Sequence, residues 1–69
     1  MMSASETVKR IRNELNLDQQ SFAEKLELSK TAIFNYEKGT RKPKRSVIFK
    51  IKELARLNDI DVTTDELMG

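Results

Sequence analysis

Residues that interrupt helices are rare in this chain. Glycine occurs only at Gly39 and Gly69 and proline only at Pro43, while strong helix formers fill most other positions. No stretch shows the sustained alternation of apolar and polar residues that predicts a half-buried strand. With 69 residues and no cysteine, the chain has room for one core and no disulfide to support it. We therefore predict a single compact all-α domain over residues 1–69, with four to five helices.

Two short helices joined by a tight turn are predicted in the middle of the chain. Asp18 is suited to cap the N-terminus of the first, and Ser29 that of the second, which ends at Gly39. A turn of three or four residues separates the two helices. This pattern predicts a helix-turn-helix, a motif whose second helix is free to lie in the major groove of DNA.

Further helical segments flank this pair. The first helix is predicted over residues 5–14, after Ser3 and Glu6 at capping-box spacing, and the fourth over residues 45–56. A last short turn is expected after Thr63. The apolar residues expected to form the core are Val8, Ile11, Leu15, Phe22, Ala23, Leu26, Ile33, Tyr36, Val47, Ile48, Ile51, Leu54, Ala55, Ile60, Val62 and Leu67.

Several classes of function are disfavoured by composition. The chain has no histidine and no cysteine, so it lacks the usual zinc ligands, the commonest general base and any thiol nucleophile. It has no apolar run of membrane-spanning length and no signal-peptide pattern at its start. We expect a cytoplasmic protein that is not an enzyme, with no metal, cofactor, small-molecule substrate or membrane partner.

Charge is unevenly distributed, although the net charge is only +2. The segment from Lys38 to Arg45 contains five basic residues and no acidic one, whereas only acidic charges follow Asn58. A basic segment of this kind is either a solvated surface or a footprint for phosphates. Charge alone leaves both interpretations open.

The second helix of the pair has polar side chains on its predicted outer face, because Ile33 and Tyr36 face inward. The outer side chains are Lys30, Thr31, Phe34 and Asn35. Lysine donates to guanine, asparagine pairs with adenine through two hydrogen bonds, and threonine offers a hydroxyl or a methyl group. Phe34 either packs against a thymine methyl group or completes the core or a dimer contact, and both alternatives stay open.

The order and spacing of these residues resemble the helix-turn-helix regulators of the lambda-repressor and Cro type. The resemblance runs without a gap from Val8 to Pro43 and is carried by Leu17, Gln19, Phe22, Ala23, Lys25, Leu26, Leu28, Ser29, Ile33, Tyr36, Glu37, Gly39 and Pro43. It implies a lambda-repressor-like fold and a sequence-specific DNA-binding transcriptional regulator of phage or bacterial kind. Such a regulator is expected to bind a roughly palindromic operator on double-stranded DNA as a homodimer, through the major groove.

The resemblance also assigns roles to single residues. It implies that Lys30, Thr31 and Asn35 contact bases, and these residues also belong to the predicted outer face of the second helix. It implies a structural ion pair between Arg12 and Glu37. Phosphate contacts at the helix starts and in the basic loop are expected from Gln19, Ser29, Lys38, Thr40, Arg41, Lys42 and Lys44.

The chain departs from the family pattern in the turn between the two helices. The family usually has glycine in the turn between the two helices, where φ is positive, and this chain has Glu27. Because that conformation costs a non-glycine residue about 1 kcal/mol or more, the turn is expected to differ in backbone conformation from that of the family.

An alternative function stays open beside DNA binding. It is a protein interaction module, similar to antirepressors or antitoxins, that holds another protein through Phe34, Leu57 or the acidic tail.

Overall fold

The computed structural model describes residues 3–68, and these residues form five α-helices and no strand. The helices are α1 (Ala4–Glu14), α2 (Gln19–Lys25), α3 (Lys30–Lys38), α4 (Arg45–Leu57) and α5 (Thr64–Met68). The all-α fold with a central helix-turn-helix is confirmed. Gly69 and the first two residues of the predicted domain lie outside the described residues. No helix within the described range is long and apolar enough to span a membrane.

The starts of α1, α2 and α3 are fixed by the capping residues that the sequence indicated. Ser3 and Glu6 form a capping box, because the Glu6 amide donates to the Ser3 hydroxyl at 3.3 Å and the Ser3 amide donates to the Glu6 carboxylate at 3.4 Å. α1 therefore begins at Ala4, one residue before its predicted start. α2 and α3 have simple caps, in which the Asp18 carboxylate accepts from the Ser21 amide at 2.7 Å and the Ser29 hydroxyl accepts from the Ala32 amide at 3.1 Å.

One apolar core holds the helices together. α3 packs against both α1 and α2, and α5 packs against α1 and α4. The buried cluster consists of Val8, Ile11, Phe22, Ala23, Leu26, Ile33, Tyr36, Val47, Ile48, Ile51, Ala55 and Leu67. Four residues predicted for the core, Leu15, Leu54, Ile60 and Val62, are only partly buried, because they lie at the edge of this cluster. α3 is thus supported along its length by residues of two other helices.

The turn between α2 and α3 keeps a left-handed residue in spite of its glutamate. Glu27 has φ of 58°, and the Leu28 amide donates to the Ala23 carbonyl at 2.8 Å across the turn. The expectation of a different backbone conformation in this turn is therefore wrong. The hydrogen bonds and the burial of Leu26 hold the backbone in a conformation that glycine would adopt with less strain.

Candidate nucleic-acid interface

α3 turns one face to the core and the other to solvent. Ile33 and Tyr36 are buried, as their spacing predicted. On the opposite side Lys30 and Thr31 are exposed and Asn35 is half-buried. The structure therefore brings the predicted base-contacting side chains together on one accessible surface of a well-supported helix.

Phe34 lies on the same surface and outside the core. Its side chain is 49% exposed, so the alternative that it completes the core of this chain is wrong. The ammonium group of Lys38, one turn later, lies 5.6 Å from the centroid of the Phe34 ring. This separation fits a cation–π contact between the ammonium group and the ring.

Asn35 is held by a residue that follows α3. The Thr40 hydroxyl donates to Oδ1 of Asn35 at 3.2 Å. This contact orients the amide and leaves its nitrogen free to donate, while the oxygen retains a second lone pair for a further donor. Thr40 was predicted only as a phosphate contact, and its bond to Asn35 was missed because the left-handed Gly39 brings it back toward the helix.

The basic loop between α3 and α4 is open to solvent. Arg41, Lys42 and Lys44 are exposed, and within residues 3–68 none of them forms an ion pair with an acidic side chain. Pro43 between them is buried, which anchors the loop to the body of the domain. Three unpaired cations are thereby held beside the C-terminal end of α3, where they reinforce one another's positive potential.

A buried ion pair joins α1 to the end of α3. Nε of Arg12 donates to Oε2 of Glu37 at 2.6 Å, and Nη2 donates to Oε1 at 3.0 Å. The guanidinium also donates to the Leu17 carbonyl at 3.0 Å. The hydrogen bonds that Arg12 donates to the Glu37 carboxylate raise the pKa of Arg12, while partial burial opposes the shift. The two-pronged geometry fixes the orientation of α3 relative to α1.

Gln19 takes part in this pair. Its Nε2 donates to Oε1 of Glu37 at 3.3 Å, which connects the first residue of α2 to the last turn of α3. Sequence reasoning missed this contact, because no local pattern signals a bond between residues that only the fold brings together. The side-chain oxygen of Gln19 remains available to other donors.

These features define a small helical domain in which the exposed face of α3 lies beside three exposed cations, Arg41, Lys42 and Lys44. The helix-turn-helix family model matches residues 8–63, most of the chain. No curated protein sequence and no solved structure matches the chain significantly. The protein belongs to the helix-turn-helix family of the lambda-repressor and Cro type, a family of DNA-binding transcriptional regulators that is typically non-enzymatic.

Proposed function

We propose that the protein is a repressor-like or Cro-like regulator that binds a roughly palindromic operator as a dimer, with α3 in the major groove. The proposal is supported best by α3, whose outer face carries accessible polar side chains while Ile33 and Tyr36 pack its inner face into the core. This anchoring matters because the recognition of bases requires hydrogen-bond donors and acceptors that are held in fixed positions.

Base contacts follow from the chemistry of this face. Lys30 would donate to O6 or N7 of guanine, and the amide of Asn35 would pair with N6 and N7 of adenine. The half-exposed ring of Phe34 would pack against a thymine methyl group. The Thr40 hydroxyl supports the contact between Asn35 and adenine, since it orients the Asn35 amide in the absence of DNA.

Phosphate contacts would fix the position of the domain on the duplex. The exposed cations of the loop, Arg41, Lys42 and Lys44, are the main candidates, because no acidic partner within the described residues competes for them. Further candidates beside them are Gln19, Ser29, Lys38 and Thr40. These contacts carry no sequence information and would weaken equally on all DNA as salt is raised.

The size of the domain supports a dimer on adjacent turns of DNA. Its Cα atoms extend 27 × 25 × 20 Å. Half-sites read from one face of the duplex lie about 34 Å apart, and side chains add several Å to each surface. Two copies on successive major grooves would therefore meet each other without a linker.

The test is selection from a pool of random DNA duplexes, followed by a salt titration of binding to the selected site. We expect enrichment of an inverted repeat with half-sites about one helical turn apart, and an affinity that falls steeply with salt. A pool that stays unenriched after selection would overturn the proposal. The alternative of a protein interaction module, favoured by the exposed Phe34, would then become the leading explanation.

A further inference from the structure

A second exposed surface lies on α4. Phe49 is 70% exposed and Leu57 is 67% exposed. They lie eight residues apart, so both side chains project from one face of the helix, with Glu53 between them. We call Phe49, Glu53 and Leu57, with the grooves beside them, the α4 face. Large apolar side chains that are this exposed to solvent are typical of a surface that packs against a partner.

The α4 face is separate from the surface proposed to read bases. Phe49 lines three adjoining grooves of the domain, and neither Lys30, Thr31 nor Asn35 lines any of them. A partner on α4 would therefore leave the outer face of α3 open. This separation leaves the proposed base-contacting residues free for DNA, and Lys42, which lines the basic groove, belongs both to the α4 face and to the proposed phosphate contacts.

The two ends of the α4 face have opposite charge. At the start of the helix, one groove has an apolar floor and a basic rim without a carboxylate, and its lining residues are Lys42, Pro43, Arg45, Ile48, Phe49, Lys52, Thr64 and Met68. Toward the end of the helix, a second groove is lined by three carboxylates and two cations, Glu53, Asp59, Asp61, Lys52 and Arg56. Because Arg56 pairs with Glu53, Asp59 and Asp61 give this end of the face its acidic character. A surface of this pattern is complementary to its own copy turned through 180°.

We infer that a second copy of this chain covers the α4 face, with the two α4 helices antiparallel about a two-fold axis near Glu53. The inference rests on the proposed operator-binding dimer and gives that dimer its contact surface. Antiparallel packing puts Phe49 of each protomer opposite Leu57 of its partner. The same register brings the basic start of each helix, at Arg45, toward the segment around Asp61 of the partner.

The charge at the axis is compatible with this packing. Glu53 would approach its own copy there, but Arg56 of the same chain already bonds the Glu53 carboxylate. A purely acidic partner would complement only the basic end of the face, and a basic partner only the other end. The second copy complements both, and it covers four large apolar side chains in a single contact.

The first experiment measures self-association in the absence of DNA, by sedimentation velocity over a range of concentrations. We expect the wild type to dimerise, and Phe49→Ser or Leu57→Ser to raise the dissociation constant at least about tenfold. Phe34→Ser is the matched control, an exposed aromatic away from α4, and is expected to dimerise like the wild type. A wild type that stays monomeric up to about 1 mM, or a loss confined to Phe34→Ser, overturns the inference.

A charge exchange tests the antiparallel register. Arg45→Glu and Asp61→Arg are each expected to weaken the dimer, and the double variant to recover most of the affinity. Arg45→Glu introduces an acid at a helix N-terminus, which favours α4, so its effect is not unfolding. Circular dichroism checks that all variants keep their helices. A double variant weaker than both single variants would exclude this register.

The measurement of self-association does not depend on sequence recognition, because no DNA is present. If the wild type dimerises through α4 but selects no operator, the proposed function fails and the α4 contact stands. If operator binding holds while the α4 variants dimerise normally, the α4 inference fails and the proposed function stands.

Discussion

Single residues determine the two turns on either side of α3, and both turns need a left-handed backbone. Gly39 has φ of 85° at the C-terminal end of α3, and Glu27 has φ of 58° before its start. Glycine adopts this region without steric cost, whereas a residue with a Cβ atom is strained there by roughly 1–2 kcal/mol. The glutamate therefore stores strain in the turn that orients α3.

We expect Glu27→Gly to raise the free energy of unfolding by about 0.5–1 kcal/mol, because relief of strain exceeds the added flexibility of the unfolded chain. The same substitution removes an exposed ion pair, in which Nζ of Lys50 lies 4.0 Å from Oε1 of Glu27, and this loss lowers the free energy of unfolding only slightly. Urea denaturation measures the change. Glu24→Gly in α2 is the matched control and should lower stability by about 0.5–1 kcal/mol, since its backbone is right-handed helix. Equal losses in both variants would mean that the turn is not strained.

At the scale of elements, the ion pair of Arg12 and Glu37 connects α1 to α3. The side chain of Glu37 is only 3% exposed and that of Arg12 16% exposed, so water screens the pair poorly. Removing one partner from such a pair leaves a charge without compensation, which costs more than the pair itself contributes.

We expect Glu37→Leu to lower the free energy of unfolding by about 3 kcal/mol, and Arg12→Leu by a similar amount. The double variant should recover much of that loss, because it leaves no unpaired charge. A double-mutant cycle by thermal or urea unfolding gives the coupling. Glu14→Ala is the control, since its pair with Arg10 is exposed and should contribute less than about 1 kcal/mol. Strictly additive losses at the two positions would contradict this account.

Most of the element structure could be predicted from the sequence because it depends on local signals. Capping residues such as Ser3, Asp18 and Ser29 fixed the helix starts to within one residue. The bonds of Gln19 to Glu37 and of Thr40 to Asn35 could not be predicted, because they depend on how helices and turns meet. The exposure of Phe34 was left open for the same reason, since its spacing does not decide between core and surface.

At the scale of the whole molecule, helix caps make stability depend on pH. The Ser21 amide donates to Asp18 and lowers its pKa, and the Thr63 amide does the same for Glu66. The folded state therefore binds fewer protons than the unfolded state in acid. Stabilisation from these groups is complete above the ordinary carboxyl pKa and is lost as pH falls through the lowered values.

We expect the melting temperature to stay level from neutral pH to about pH 5 and to fall steadily below about pH 4. The variant Asp18→Asn/Glu66→Gln should be less stable than the wild type at neutral pH and should lose less on acidification. Calorimetry at a series of pH values measures both effects. An acid profile parallel to that of the wild type would show that other groups control acid unfolding.

The proposed interface assigns base contacts to α3 and phosphate contacts to the basic loop. The most direct measurement compares Asn35→Ala with Lys42→Ala on the selected operator and on operators with single base-pair changes. We predict that Asn35→Ala reduces discrimination by about 1–3 kcal/mol at one position in each half-site. Lys42→Ala should instead weaken binding equally on all sites and reduce the salt slope by about 0.9 for each phosphate that the variant no longer neutralises. If Asn35→Ala discriminates between these sites as well as the wild type does, this residue of α3 does not read bases and the account is contradicted.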